Sequence, residues 1–189
     1  MNTMENNQFF FDKIALDTKA LGSDNAKVIR TNQIVLDPVF RQICASNSCG
    51  MYGKCWMCPP DVGDADELMN EVGTYDYALV YQKIGTLEDS FDFEGMINAK
   101  REFYGLTKKV KKLFDSQKLS KILHLGAGGC GVCEVCAKKS AEPCRFPNLA
   151  TPSLEAYCIN VSKLAQSADM KYINGQDTVT YFGAIFIAN

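Results

Sequence analysis

Nine cysteines in a chain of 189 residues constrain this protein more than any other feature. Eight fall in two tight groups: Cys44, Cys49, Cys55 and Cys58, then Cys130, Cys133, Cys136 and Cys144, with Cys158 alone beyond them. Met1 to Phe11 has neither a basic start nor a long apolar run, so no secretory signal is expected and a cytoplasmic location is. Disulfides are rare in a reducing compartment, where dense cysteine patterns point to metal or redox chemistry. An odd count also forbids complete internal pairing. Metal binding is therefore the leading expectation.

Composition narrows the field. Lys plus Arg is 20 against 22 Asp plus Glu, a net charge of −2 with a pI near 5.5. That balance leaves no basic surface for nucleic acid or an anionic membrane. A hydrophobic share of 47% supports a sizeable core. No apolar run approaches the roughly 18 residues that cross a bilayer. The length suits one domain, residues 1–189, on the rough prior of about 150 residues each.

The chain alternates strand and helix signals. A helix is expected near Phe9 to Ala20, and a strand over Val28 to Leu36. Asp37-Pro38 opens a short helix towards Cys44, and Asp64 to Glu67 resembles a capping box for a helix to about Val72. Strands follow at Tyr77–Ile84, Ile122–Leu125 and Val179–Ile187, the last almost wholly apolar. A long helix spans Phe93 to Gln117, its stripe drawn from Phe93, Met96, Ile97, Phe103, Val110, Leu113 and Phe114. Another helix starts at Thr151-Pro152, with Leu154, Tyr157, Cys158, Val161, Leu164, Ala165 and Ala168 on one face. The expected class is α/β, with a mixed, mostly parallel sheet of about four strands and helices packed on it. Alternating directions bring both cysteine-rich loops to one end, where open α/β sheets usually place ligands.

Cys130-x2-Cys133-x2-Cys136 with Cys144 is the most specific motif. Two-residue spacers let one winding loop offer three thiolates to a four-iron four-sulfur (4Fe-4S) cluster, as in bacterial ferredoxins, while Cys144 takes the fourth corner. Zinc more often uses two separated Cys-x2-Cys pairs. Cys144 lies eight residues past Cys136 and follows Pro143, unlike a ferredoxin, so the loop reads as one self-contained cluster. Gly129 and Gly131 allow backbone N–H groups to point at sulfur. Lys138, Lys139 and Arg145 either offset cluster charge or form a solvated face. In the first group, Cys55-x2-Cys58 is a possible knuckle. Its four cysteines hold a second cluster or a zinc, or some of them complete the other site. Cys158 reads as a core residue and His124 as an ordinary strand residue. With one histidine and no partnered nucleophile, hydrolytic catalysis has no support, and Gly126 to Gly129 lacks the full spacing of a nucleotide-binding turn. The lysines at 108, 109, 111 and 112 read as a solvated helix face.

Taken together, Cys44-x4-Cys49, Tyr52-Gly53, Cys58-Pro59-Pro60, Gly129-Cys130-Gly131-x-Cys133-x2-Cys136, Cys144-Arg145-x-Pro147 and Ser153-Leu154-Glu155-Ala156 resemble a family of small, cysteine-rich, predicted metal-binding proteins of anaerobic bacteria and archaea, a family of unknown function. The resemblance implies that Cys44, Cys49 and Cys58 are the recurrent thiolates of the first loop while the place of Cys55 varies. A centre there would then have an open iron or a non-cysteine ligand. The functional expectation is one or two 4Fe-4S clusters serving electron transfer or a redox partner protein. The alternative is a structural zinc module, and a thiol-redox or metal-trafficking role for Cys55 and Cys58 comes third.

Overall fold

A computed structural model describes residues 3–117 and 119–188; the expectations for Met1, Asn2 and Asn189 lie outside them. Helix α1 (Thr3–Ala20) leads into strand β1 (Asn25–Arg30), short helix α2 (Val39–Ala45) and helix α3 (Ala65–Val72). Strand β2 (Tyr77–Thr86), long helix α4 (Phe93–Asp115), strand β3 (Ile122–Leu125), helix α5 (Val161–Ser167) and strand β4 (Thr178–Ile187) complete the order.

The sheet order is β1-β2-β4-β3, and every neighbouring pair is antiparallel. This corrects the expected mostly parallel sheet. Strands β2 and β3 do point the same way across the α4 crossover, but β4 is inserted between them and runs against both. The misleading signal was the apolar run in the last strand. In β2, Ala78 and Val80 belong to one hydrophobic cluster and Leu79 and Tyr81 to the other, so both faces are covered. A strand buried on both faces loses its polar alternation whatever its direction.

The result is three layers. Helices α1 and α4 cover one face through Ile14, Phe103, Leu106, Val110 and Phe114. On the other face, α3 and α5 pack Leu68, Val72, Val161, Leu164 and Ala165 against Val80, Phe182 and Phe186. Along α4 the buried line is Ala99, Phe103, Leu106, Val110 and Phe114, whereas Phe93 and Ile97 are exposed. The apolar stripe therefore begins one to two turns later than its sequence suggests.

Start signals are well placed. The Asp37 side chain accepts from the Val39 N–H at 2.9 Å, and Asp64 accepts from Asp66 and Glu67 N–H groups at the start of α3. Several boundaries differ from expectation: α1 begins at Thr3 and not near Phe9, and β1 at Asn25 and not Val28. The first strand stops at Arg30, a 3₁₀ turn takes Thr31–Gln33, and only Leu36 re-pairs, with Ile159. The expected helix from Thr151 is broken as well: a 3₁₀ turn at Glu155–Tyr157 ends on Cys158, whose φ of 60° is left-handed, and Asn160 then caps α5 by accepting from the Lys163 N–H. The apolar positions keep helical spacing because both short pieces bury the same face.

Candidate metal centre

The first cysteine loop begins inside α2, which carries Cys44, and winds through Cys49, Cys55 and Cys58 before α3. Left-handed residues at Asn47 (φ 57°), Gly50 (φ 73°) and Gly53 (φ 65°) coil it tightly. The Asn47 side chain accepts from the Tyr52 N–H, the Gly53 N–H donates to the Pro59 carbonyl at 2.9 Å, and the Cys58 N–H donates to the Cys55 carbonyl at 3.0 Å. The second loop leaves the sheet where β3 ends. Gly126 and Ser153 form a bridge, with the Gly126 N–H on the Pro152 carbonyl and the Leu154 N–H on the Gly126 carbonyl. That bridge closes residues 126–153 into a loop holding Cys130, Cys133, Cys136 and Cys144.

The two loops lie against each other. Trp56 donates its indole N–H to the Glu142 carbonyl at 2.8 Å, and the Lys138 ammonium sits 4.2 Å from the Trp56 ring centroid while pairing with Asp61. Arg145 turns back to the Val135 carbonyl of its own loop. Lys138 and Arg145 thus brace the loops. From α4, the Tyr104 hydroxyl donates to the Gly129 carbonyl at 2.6 Å. Gly131 lies flat on the Tyr104 ring, where a Cβ would stand 2.3 Å from a ring carbon. A Cβ on Gly129 would stand 2.9 Å from Met51 of the first loop and 3.7 Å from the Cys58 sulfur. These glycines are where the backbones must approach closely.

Between the loops are two cysteine-lined cavities. The tight one, about 20 Å³, is lined by Cys55, Cys130, Cys133, Cys136 and Cys144, with Trp56, Met57, Val132 and Phe146 around them. The roomy one, about 240 Å³, is lined by Cys44, Cys49 and Cys58 with Met51, Tyr52, Gly128, Gly129, Ser153 and Glu155. All eight clustered cysteines therefore line one cavity or the other, and Cys55 lines the cavity of the second group while the rest of its own group lines the other. Cys158 borders neither and is fully buried in the core. A larger space of about 870 Å³ lies between α1 and β1 and has no cysteine in its wall.

Cys55 and Cys58 form the wall between the cavities. Contact with the Cys58 thiol, the Met57 and Cys130 N–H groups and Cys136 holds Cys55 down to about 5, overcoming its burial. The same contact, then burial, pushes Cys58 up. Burial raises Cys44 and Cys130 too. One lowered and one raised thiol in contact share a proton between them. All nine cysteines are free thiols, so none is spent on a disulfide. Among the described residues, no three His, Cys, Asp or Glu side chains close up as a cage for a single metal ion. The donor chemistry nonetheless suits thiophilic metal, since each cavity wall offers at least three thiols and neither offers a histidine.

Sequence reasoning missed Trp56, Tyr104 and the position of Glu155. The clue for the first was available, because the only tryptophan of the chain stands between two cysteines. His124 is a neutral strand residue but only half satisfied: its Nε2 lies 2.8 Å from the Tyr81 hydroxyl, its Nδ1 is buried without a partner, and burial lowers its pKa to about 3. Among the described residues, no helix is long and apolar enough to cross a membrane.

Comparison with curated proteins and with solved structures found no match. A family profile does match, over residues 27–187 and so across both cysteine loops and all four strands but the first two residues of β1. On that match the chain belongs to the family described as predicted metal-binding protein (DUF2284).

Proposed function

We propose that this chain is an iron–sulfur protein whose two cysteine-lined cavities are separate metal centres, working in the cytoplasm with a redox partner protein. The observation that carries this reading is that Cys130, Cys133, Cys136 and Cys144 line one cavity. Three of them stand on two-residue spacers, the arrangement that wraps a cubane. In that wall the Met57 and Cys130 N–H groups donate to the Cys55 sulfur, so the loop carries built-in compensation for thiolate charge. Tyr104 holds Gly129 at the entrance to the second loop, and Lys138 holds the first loop against it. A 4Fe-4S cluster, when bound, supplies one-electron chemistry at a potential tuned by those hydrogen bonds and by burial.

A second reading has its own support. It rests on size alone: about 20 Å³ is close to the room of a single water, roughly 10–15 Å³, and so nearer to one zinc than to a cubane, although no three described donors close up around one ion. Anaerobic purification with iron, sulfide and zinc counted per chain separates the two. The iron–sulfur reading expects a brown protein with equal iron and sulfide that dithionite bleaches. A colourless protein holding zinc and no sulfide contradicts it.

A further inference from the structure

The roomy cavity has three thiols but is not a three-donor site. Glu155 is half-buried in its wall, close enough to Cys44 for its charge to act on that thiol. The position is built by several contacts. Leu36 bridges Ile159, the Asp37 N–H donates to the Cys158 carbonyl at 2.7 Å, and Arg41 donates to the Ala156 and Gly63 carbonyls at 2.9 and 2.7 Å. Together they clamp α2, which carries Cys44, beside the 3₁₀ turn that begins at Glu155.

The carboxylate has little to compensate it there. Its polar partners are its own N–H and the Ser153 side chain, and burial is the largest influence on it. Among the described residues it makes no ion pair, and no lysine, arginine or histidine lines the cavity. The nearest lysine to that part of the wall is Lys100, whose ammonium would stand 3.5 Å from a Cβ on Gly128 and lies 5.6 Å from the Tyr104 ring centroid. The rest of the wall is largely apolar, with Phe40, Ile43, Met51 and Pro59. Half-buried beside three thiols, with no cation in the cavity wall itself, the carboxyl is an oxygen donor available to a metal held there.

We infer that Glu155 is the fourth ligand of the centre held by Cys44, Cys49 and Cys58, a carboxylate where the other centre has only thiolates. The inference rests on reading this cavity as a metal centre. A carboxylate is a harder and weaker donor to iron than a thiolate, so the corner it holds is the one that exchanges. The cavity supplies the space for exchange: at about 240 Å³ it exceeds the room of one water many times over. The site would therefore present one replaceable position to a small ligand, while the tight cavity presents none.

The test uses the full chain, reconstituted anaerobically with ferrous iron and sulfide, in the native form and as Glu155→Gln, Glu155→Cys and Cys49→Ser. Iron per chain, retention against a chelator and the electron paramagnetic resonance spectrum are read before and after mild ferricyanide oxidation. The native chain is expected to lose iron from this centre on oxidation and to develop a three-iron signal. Glu155→Cys is expected to abolish that signal, and Glu155→Gln to weaken iron retention at least about tenfold. Identical spectra and retention in the native, Gln and Cys forms overturn the ligand assignment while leaving the centre intact. If Cys49→Ser removes no iron, the cavity holds no metal, and the underlying reading fails together with the assignment. Because Glu155→Cys adds a donor, it decides the matter even where Glu155→Gln folds poorly.

Discussion

The two cavities are neighbours built from the same pair of loops, yet they differ in size and in donors. Five thiols surround about 20 Å³ on one side of the Cys55–Cys58 wall; three thiols and a carboxyl surround about 240 Å³ on the other. Metal sites that only hold or relay are usually closed by their protein ligands, whereas reactive ones keep a position open. The contrast teaches that cysteine count alone does not assign a role. What distinguishes the sites is how each loop is anchored. The tight site hangs from β3 and is braced by Trp56, Lys138 and Tyr104, while the roomy one lies between α2 and a turn of three residues.

The largest effect expected is on metal content, and it should split along that wall. Cys133→Ser should empty the tight centre and spare the other, and Cys49→Ser should do the reverse; iron and sulfide per chain report both. Loss of all metal in either variant would make the two cavities one site.

Acid should act next, through the strand that carries the tight site. The His124 pKa is about 3 in the folded chain against an ordinary 6.5, so the unfolded chain binds the extra proton between those values. The stabilisation from neutral His124 is complete above about pH 6.5 and is lost as pH falls towards 3, by at most about 1.4 kcal/mol per unit. Urea midpoints in the metal-free protein should therefore fall between about pH 7 and pH 4, and fall less in His124→Gln. Equal slopes would contradict the assignment.

Smaller effects test the brace. Trp56→Ala removes the indole donor and the platform under Lys138, and should cost about 1–3 kcal/mol in thermal unfolding while loosening metal in both cavities. Lysine-specific loss, in Lys138→Met, should be the milder of the two. Smallest of all on metal is Cys158→Ala: iron content should be unchanged, with a stability loss of about 1 kcal/mol from the core.

Much of the site was legible because short-range chemistry is written in spacing. Cys130-x2-Cys133-x2-Cys136 marked one donor set, and these cysteines do share a cavity with Cys144. The Asp37-Pro38 turn into α2 and the Asp64 cap of α3 were equally local. The sheet was not, because direction depends on which strand lies beside which, and β4, the last element, inserts between two earlier ones. For the same reason Cys55 could not be assigned: only two residues separate it from Cys58, yet the touching pair lines different cavities. Glu155 stood in the motif Ser153-Leu154-Glu155-Ala156 without a role, and only the turn ending at Cys158 sets it beside Cys44.

The central claim is that two metal centres flank the Cys55–Cys58 wall. Crystals grown anaerobically and measured at the iron absorption edge test it most directly. The account predicts two anomalous peaks, one among Cys130, Cys133, Cys136 and Cys144 and one among Cys44, Cys49, Cys58 and Glu155. A single peak spanning both cavities, or peaks at the zinc edge alone, would contradict it.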